Sequence, residues 1–274
     1  MTSPPFDFDY LRNLVQQQSA VVLGAEKRYL ADLHLGAVAE RAGFSSIAEF
    51  VEQLKRTPIG ALHIQAIEAL LNNETSFFRD YYPFESLKNV VIPYLIHQRR
   101  KARSLAIWCA GCSFGQEPYS IAILIQEHFP ELMNWDLQII ASDVSSKALA
   151  RVKQGSYSQL EVDRGLSPML RDKYFHKQQN VWQISDTLRQ RVAVRQLNLI
   201  SEWKALPVMD IIFLRNVLIY FDTETKISIL QKVHQHLRSD GYLFLGGGET
   251  VLKIDDDFEP VRIDKSICHR IRSA

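Results

Sequence analysis

Several things are scarce in these 274 residues, and each scarcity excludes a class of protein. Cysteine occurs three times, too few for a disulfide framework, so a reducing compartment is expected. Neither sign of charge dominates. Thirty-two Lys and Arg face 31 Asp and Glu, a formal net charge of +1, so broad electrostatic capture of nucleic acid is not expected. No apolar run is long enough to span a bilayer, which argues against membrane insertion. The start, MTSPPFDFDY, lacks the basic and apolar regions of a secretory signal. Internal repeats and low-complexity segments are absent. What is there is ordinary for a globular chain with a full core: 46% hydrophobic and 23% charged residues, enough for one large domain or two smaller ones. A cytoplasmic location follows as the expectation.

The texture changes once along the chain. From Asp7 to about Arg103, stretches such as YLRNLVQQQSAVVL, SIAEFVEQL and IGALHIQAIEALLNN repeat apolar residues every three or four positions, the period of helices. Ser45 and Ser46 offer an N-cap there, with Glu49 spaced for a capping box. A further helix is expected after Pro83. Beyond Arg103 short apolar runs, SLAIWCA, DLQIIASD, VMDIIFLRN and GYLFLGG, alternate with helical patterns. Strands alternating with helices predict βαβ units in a mostly parallel, doubly wound α/β sheet. The C-terminal stretch reads as an antiparallel edge hairpin turning at Asp264–Lys265. Val181–Ile184 and Arg191–Leu197 read as a small β excursion. The expected division is a helical domain over 1–85 and an α/β domain over 86–274, with a small β-subdomain at about 178–197.

The stretch WCAGCSFGQEPYSIAILI poses a choice. W-C-x-x-C is the pattern of a redox centre, which needs the first thiol at a helix start. Here the helical period begins near Gln116, with Pro118 in the first turn, so CAGCSFG is a loop of small residues. At the carboxyl end of the first strand of a wound sheet, such a loop lies where a nucleotide binds. Cys109 and Cys112 then read as space-filling residues. The loop has neither G-x-G-x-x-G nor a P-loop lysine. Glu117 puts a negative charge where a phosphate would otherwise sit. A cationic ligand is favoured, and S-adenosylmethionine carries an ammonium and a sulfonium.

Other residues admit two readings each from spacing alone. Glu117 is a ligand for that cation or a carboxylate answering the helix dipole. Asp143, ending the second strand, bridges ribose hydroxyls or caps the helix after it. Arg215 and Asn216 follow the apolar run DIIFL at the sheet's carboxyl edge, with Tyr220 a helical turn further on. They meet a polar ligand, or they are a strand-end cap and a core tyrosine. NNETSFFRD, Asn72 to Asp80, is a ligand-binding segment or a capped turn with an apolar plug.

Taken together, LGAEKRYL, NNETSFFRD, WCAGCSFGQEPYSIAI, IIASDVSSKALARVKQGSYS, VRQLNL, DIIFLRNVLIYFD and GYLFLGGGET resemble the CheR-type chemotaxis receptor glutamate methyltransferases, in that family's order and through nearly the whole chain. The resemblance implies an N-terminal helical domain joined to the S-adenosylmethionine-dependent methyltransferase fold with a small β-subdomain. It implies that Asn73, Thr75 and Arg79 reach the cofactor and that Glu117 holds its amino group. Asp143 is implied for the ribose, Asn198 and Leu199 for the adenine, and Arg215 and Asn216 to complete the pocket. Arg79 and Tyr220 are implied to steer the substrate carboxylate. The implied cofactor is S-adenosyl-L-methionine, leaving S-adenosyl-L-homocysteine, with no metal. The implied partner is a chemoreceptor's cytoplasmic domain, acted on by a monomer. The segment YFHKQQNVWQISDTLRQRV lacks the glycine-bearing loop with which some relatives grip a receptor tether, so the resemblance does not extend to that feature.

The implied reaction is an in-line displacement by a glutamate oxygen on the sulfonium methyl. A carboxylate is ionised at neutral pH and needs no general base. The rival expectations are a methyltransferase acting on nucleic acid or a small molecule, and a scaffold that binds the cofactor without turnover.

Overall fold

The computed structural model describes residues 6–204 and 206–272. They form two compact units. One is helical, ends at Asn72 and includes Tyr220–Thr225; the other is α/β and holds Asn73–Ile219 and Lys226 onward.

The helical unit contains the helices Phe8–Ser19, Arg28–Arg41, Ile47–Arg56 and Ala61–Leu70. Asp7 caps the first, accepting from Tyr10 N at 2.9 Å. Ser46 caps the third, but Glu49 reaches back to the N–H and hydroxyl of Ser45, at 2.9 and 2.7 Å, so the expected box closes one residue earlier. Leu11, Val15, Leu35, Phe50, Leu54 and Ala66, spaced for one helix face each, are fully buried.

The α/β unit opens with the segment 73–81 and a helical run, Tyr82–Ser86, a π-helical stretch Leu87–Val91, and Ile92–Arg99. Among the described residues ten strands follow in chain order: β1 (Ser104–Ala110), β2 (Asp136–Asp143), β3 (Ser156–Ser158), β4 (Phe175–Gln178), β5 (Val181–Ile184), β6 (Val192–Gln196), β7 (Met209–Leu214), β8 (Leu237–Leu245), β9 (Phe258–Ile263) and β10 (Ser266–Ile271). The seven-stranded sheet has the order β6-β2-β1-β7-β8-β10-β9. Its first five strands are parallel, and β10 and β9 form the expected antiparallel edge hairpin. The chain steps from β1 to β2 on one side and later returns to β7 on the other. The switch point therefore lies between β1 and β7, where wound sheets open a crevice for ligands.

Residues 73–85 were expected with the helical domain, yet they belong to the α/β unit. Phe77 and Phe84 are buried in the same apolar cluster as Leu105, Ile107 and Phe213, and Phe77 meets Tyr157 and Phe175 edge-on at 5.1 and 5.4 Å. Burying two aromatic rings fixes the segment there. The small sheet differs in extent from the expectation too. It is β3-β5-β4, within residues 156–184, whereas the run Arg191–Leu197 supplies β6 of the main sheet, with Ile139 opposite Val192. An isolated alternating run does not reveal which sheet it will join.

Candidate active site

The β1 loop folds as its small residues allow. Gly111, Ser113 and Gly115 have positive φ, and Gly115 caps the helix Gln116–His128 in the left-handed conformation. A Cβ on Gly111 would stand 2.7 Å from Val217 Cγ2, so glycine is what lets this loop approach the turn after β7. Cys109 and Cys112 are free and buried. Burial pushes both thiols well above their ordinary range, with the charges of Glu117 near Cys109 and Asp143 near Cys112 adding to it. Such thiols are neither nucleophilic nor redox-poised, and they fill space.

Asp143 is tied to that loop. Its Oδ2 accepts from Ser113 N at 2.8 Å and its Oδ1 from Ser145 N at 2.9 Å. The helix Ser146–Gln154 is capped by Ser145, whose Oγ accepts from Ala148 N at 3.1 Å, so capping does not account for Asp143. Leu197 N donates to Asp143 O at 3.0 Å, which sets Asn198 and Leu199 beside the carboxyl end of β2. Leu199 is buried and Asn198 half-buried.

The segment after Asn72 is laced to the same edge. Ser113 Oγ donates to Asn73 O at 2.7 Å, and Phe78 N to Ser120 Oγ at 2.9 Å. Arg79 Nη1 donates to Glu74 O at 3.0 Å, while Thr75 is half-buried between them. Phe78, Asp80 and Tyr81 all have positive φ, 47°, 68° and 53°. Backbone strain of this kind persists only where surrounding contacts hold it. The apolar plug of the second reading is present in Phe77, which is buried and holds a polar segment across the sheet edge.

Arg215, its side chain 1% exposed, gathers the acids. Nη1 donates to Glu117 Oε2 at 2.8 Å, and Nη2 donates to Asp80 Oδ2 at 2.7 Å and to Arg79 O at 3.0 Å. Glu117 is itself 13% exposed. Burial pushes its carboxyl above the usual range, against the pull of the Arg215 guanidinium and, more weakly, of Arg79. Asn216 follows with φ of 59°. Among the described residues, Gln116 Oε1 and Arg215 Nε are buried without a partner. Orphaned polar atoms on the chain neighbour of Glu117 and on its guanidinium partner fit a polar ligand better than a closed core. Two carboxylates, Glu117 and Asp143, stand at this edge, which fits a cationic nucleoside and repels a phosphate.

The α/β unit thus joins Asn73, Thr75, Arg79, Glu117, Asp143, Asn198, Leu199, Arg215 and Asn216 through one run of hydrogen bonds and chain neighbours. Tyr220 belongs to the helical unit, where its hydroxyl accepts from Asn72 Nδ2 at 2.7 Å. Sequence reasoning missed Ser113, Asp80 and Glu249. Ser113 and Asp80 meet partners 30 to 135 residues away, which spacing does not encode. Glu249, whose carboxylate accepts from the N–H groups of Asn216, Val217, Ile219 and Gly246, lay in the quoted GYLFLGGGET, but an acid after three glycines has no periodic signal.

The family model of the CheR methyltransferase, SAM binding domain, matches residues 73–267. The chain belongs to the CheR methyltransferase family. It is 37% identical over 276 residues to chemotaxis protein methyltransferase Cher2 of Pseudomonas putida, covering 99% of this chain and 100% of that one. It is 38% identical over 276 residues to chemotaxis protein methyltransferase 1 of Pseudomonas aeruginosa, with the same coverage. To chemotaxis protein methyltransferase 1 of Vibrio cholerae it is 34% identical over 268 residues, 96% of each chain. As a CheR enzyme it is an S-adenosylmethionine-dependent protein-glutamate O-methyltransferase of chemotaxis signalling, and its substrate class is the chemoreceptor. Among the described residues, no helix of this CheR protein is long and apolar enough to cross a membrane, and no group of three or more His, Cys, Asp or Glu could hold a metal ion.

Proposed function

We propose that this CheR enzyme works as a cytoplasmic monomer, seating S-adenosylmethionine across the carboxyl ends of β1, β2, β6 and β7 and esterifying glutamates on the cytoplasmic helices of a chemoreceptor. The observation that carries the siting is the buried pair of Glu117 with Arg215, a carboxylate at a helix start with little solvent and an ammonium-sized task. When bound, the cofactor supplies an electrophilic methyl group on sulfur. Glu117 takes its ammonium and Asp143 its ribose hydroxyls. Asn198 and Leu199 border the adenine, Asn73 and Thr75 close the pocket from the segment after Asn72, and Arg215 and Asn216 complete it.

Arg79 and Tyr220 steer the substrate carboxylate, a role supported by their positions in NNETSFFRD and FLRNVLIYFD. No side chain is asked to remove a proton, because the nucleophile arrives ionised. The work is alignment, worth on the order of 7–11 kcal/mol for well-placed reactants. It is aided by keeping water from an anion that must attack a cation. Arg79 has to orient without gripping, since a tight bidentate pair would hold the attacking oxygen's charge. The +1 net charge and the lack of a basic run argue against a nucleic-acid substrate.

Methyl transfer from labelled cofactor onto purified receptor cytoplasmic fragments, DNA and RNA, with mass-spectrometric mapping, tests the reading. Base-labile methyl esters on receptor glutamates are expected, with none on nucleic acid. Label on nucleic acid, or cofactor binding with no transfer to any receptor, would overturn it.

A further inference from the structure

Glu249 is a carboxylate surrounded by backbone. Its Oε2 accepts from the N–H of Asn216 at 2.7 Å and of Gly246 at 2.6 Å. Its Oε1 accepts from Val217 N at 2.8 Å and from Ile219 N at 3.2 Å. All four donors lie in the turns that leave β7 and β8, neighbouring parallel strands at the carboxyl edge of the sheet. Asn216, Val217 and Gly246 lie outside the strands and helices, so the carboxylate takes the place of secondary structure for their N–H groups. Hydrogen bonds to an ionised acceptor are the stronger kind, and four on one group make a rigid knot.

The knot holds what the local sequence would not. Asn216 sits at φ 59°, the left-handed region that asparagine enters more readily than most residues but does not prefer without support. A Cβ on Gly246 would stand 2.6 Å from Asn216 Nδ2 and 2.8 Å from both Asn216 N and Glu249 Oε2, so the two turns close on each other only because residue 246 is glycine. Val217, fixed by Glu249, in turn seats against Gly111 of the β1 loop. One carboxylate therefore sets Asn216, the neighbour of Arg215, and braces the loop that leads to Glu117.

We infer that Glu249 is a positioning residue for methyl transfer: it clamps Asn216 in its left-handed conformation and so sets how the β7 turn meets the cofactor. This rests on the proposal that Asn216 completes the cofactor site. Glu249→Gln tests it without changing length. Whichever way the amide turns, its NH2 faces two backbone donors and loses both bonds. The expected result is about a tenfold rise in the S-adenosylhomocysteine Kd by calorimetry and a lower kcat, with the KM for a receptor fragment unchanged. Asn216→Ala should weaken binding similarly, and the double variant should be no worse than the weaker single, since both remove one arrangement.

A purely structural role would lower the melting temperature and leave Kd and kcat of the folded protein alone; that result overturns the inference, as do additive losses in the double variant. Normal binding by Glu249→Gln beside weakened binding by Asn216→Ala overturns the inference while sparing the siting of the cofactor. Unchanged binding in Asn216→Ala overturns both. If Glu249→Gln does not fold, Glu249→Asp, which keeps the charge but falls short of the donors, is measured in the same way with the same criteria.

Discussion

Replacing Glu117 by glutamine separates the two jobs this carboxylate does. Glutamine has the same length and can still accept from Arg215 Nη1, the 2.8 Å bond seen here. What disappears is one buried negative charge. For the free protein the change should be nearly neutral, within about 1 kcal/mol, because the lost attraction to Arg215 is offset by the relieved burial of a charge. Arg215 also keeps Asp80 and the carbonyl of Arg79. For the cofactor the change is severe. A charge-assisted hydrogen bond in a dry site contributes about 2–3 kcal/mol, so the Kd for S-adenosylhomocysteine should rise roughly 30- to 150-fold.

The pH dependence gives a second, independent reading. The carboxyl titrates above its usual value of 4.5 because burial disfavours the ion. A carboxyl raised on folding binds its proton more tightly in the folded state. Its penalty on stability is thus absent below the ordinary range, grows as pH rises through the window up to the raised value, and is complete above it. Ammonium binding needs the ion, so affinity should run the opposite way. It should fall as pH drops through that window, before an ordinary glutamate would protonate. Calorimetric titration of both proteins from neutral pH downward is the assay. A Glu117→Gln Kd within roughly threefold of the parent, or a pH profile identical in both, would refute the assignment of the ammonium to Glu117.

Three more outcomes are expected. Arg79→Ala should lose far more turnover than cofactor affinity, because its guanidinium, held by a carbonyl of its own segment at 3.0 Å, is proposed to steer the substrate carboxylate; equal losses in a transfer assay and in calorimetry would remove its steering role. A thiol reagent at neutral pH should label none of Cys109, Cys112 or Cys268 until the protein unfolds, since all are buried and burial pushes Cys268 up to about 12; rapid labelling with retained circular dichroism would contradict the buried loop. Arg99→Ala should cost about 2–4 kcal/mol in denaturant melts, as it removes the nearer cation from Asp210, 3% exposed, leaving it Arg238 at 3.2 Å and the N–H of Ala106 at 2.8 Å. The Arg99 cluster with Asp210 and Asp240 lies toward the amino ends of the strands, so its loss should leave cofactor affinity unchanged.

Much of the fold could be read from period and punctuation. DLQIIASD and VMDIIFL are continuous apolar runs, as strands buried on both faces must be, and they became β2 and β7. The helix after the β1 loop starts at Gln116, where its period begins. The errors share one cause. Arg191–Leu197 alternates as any half-buried strand does, and nothing local says that its partner is β2. NNETSFFRD reads as the end of a helical region, and nothing local says that Phe77 will be buried against Tyr157 and Phe175. Partners distant in sequence are chosen by packing, which no window of neighbouring residues contains.

The order of residue types by itself determined that this chain would wind a mostly parallel sheet, turn tightly on small residues after the first strand, and place acids instead of phosphate-binding groups beside that turn. Those features depend on backbone freedom, periodic burial and formal charge, which are properties of neighbours along the chain. Only the tertiary structure decided that Arg215 would bind Glu117 and Asp80 at once, that Ser113 would link Asn73 to Asp143, and that Glu249 would clamp Asn216. These are meetings between segments separated by tens to over a hundred residues, and their geometry exists only after the hydrophobic core has brought the strand ends to one edge.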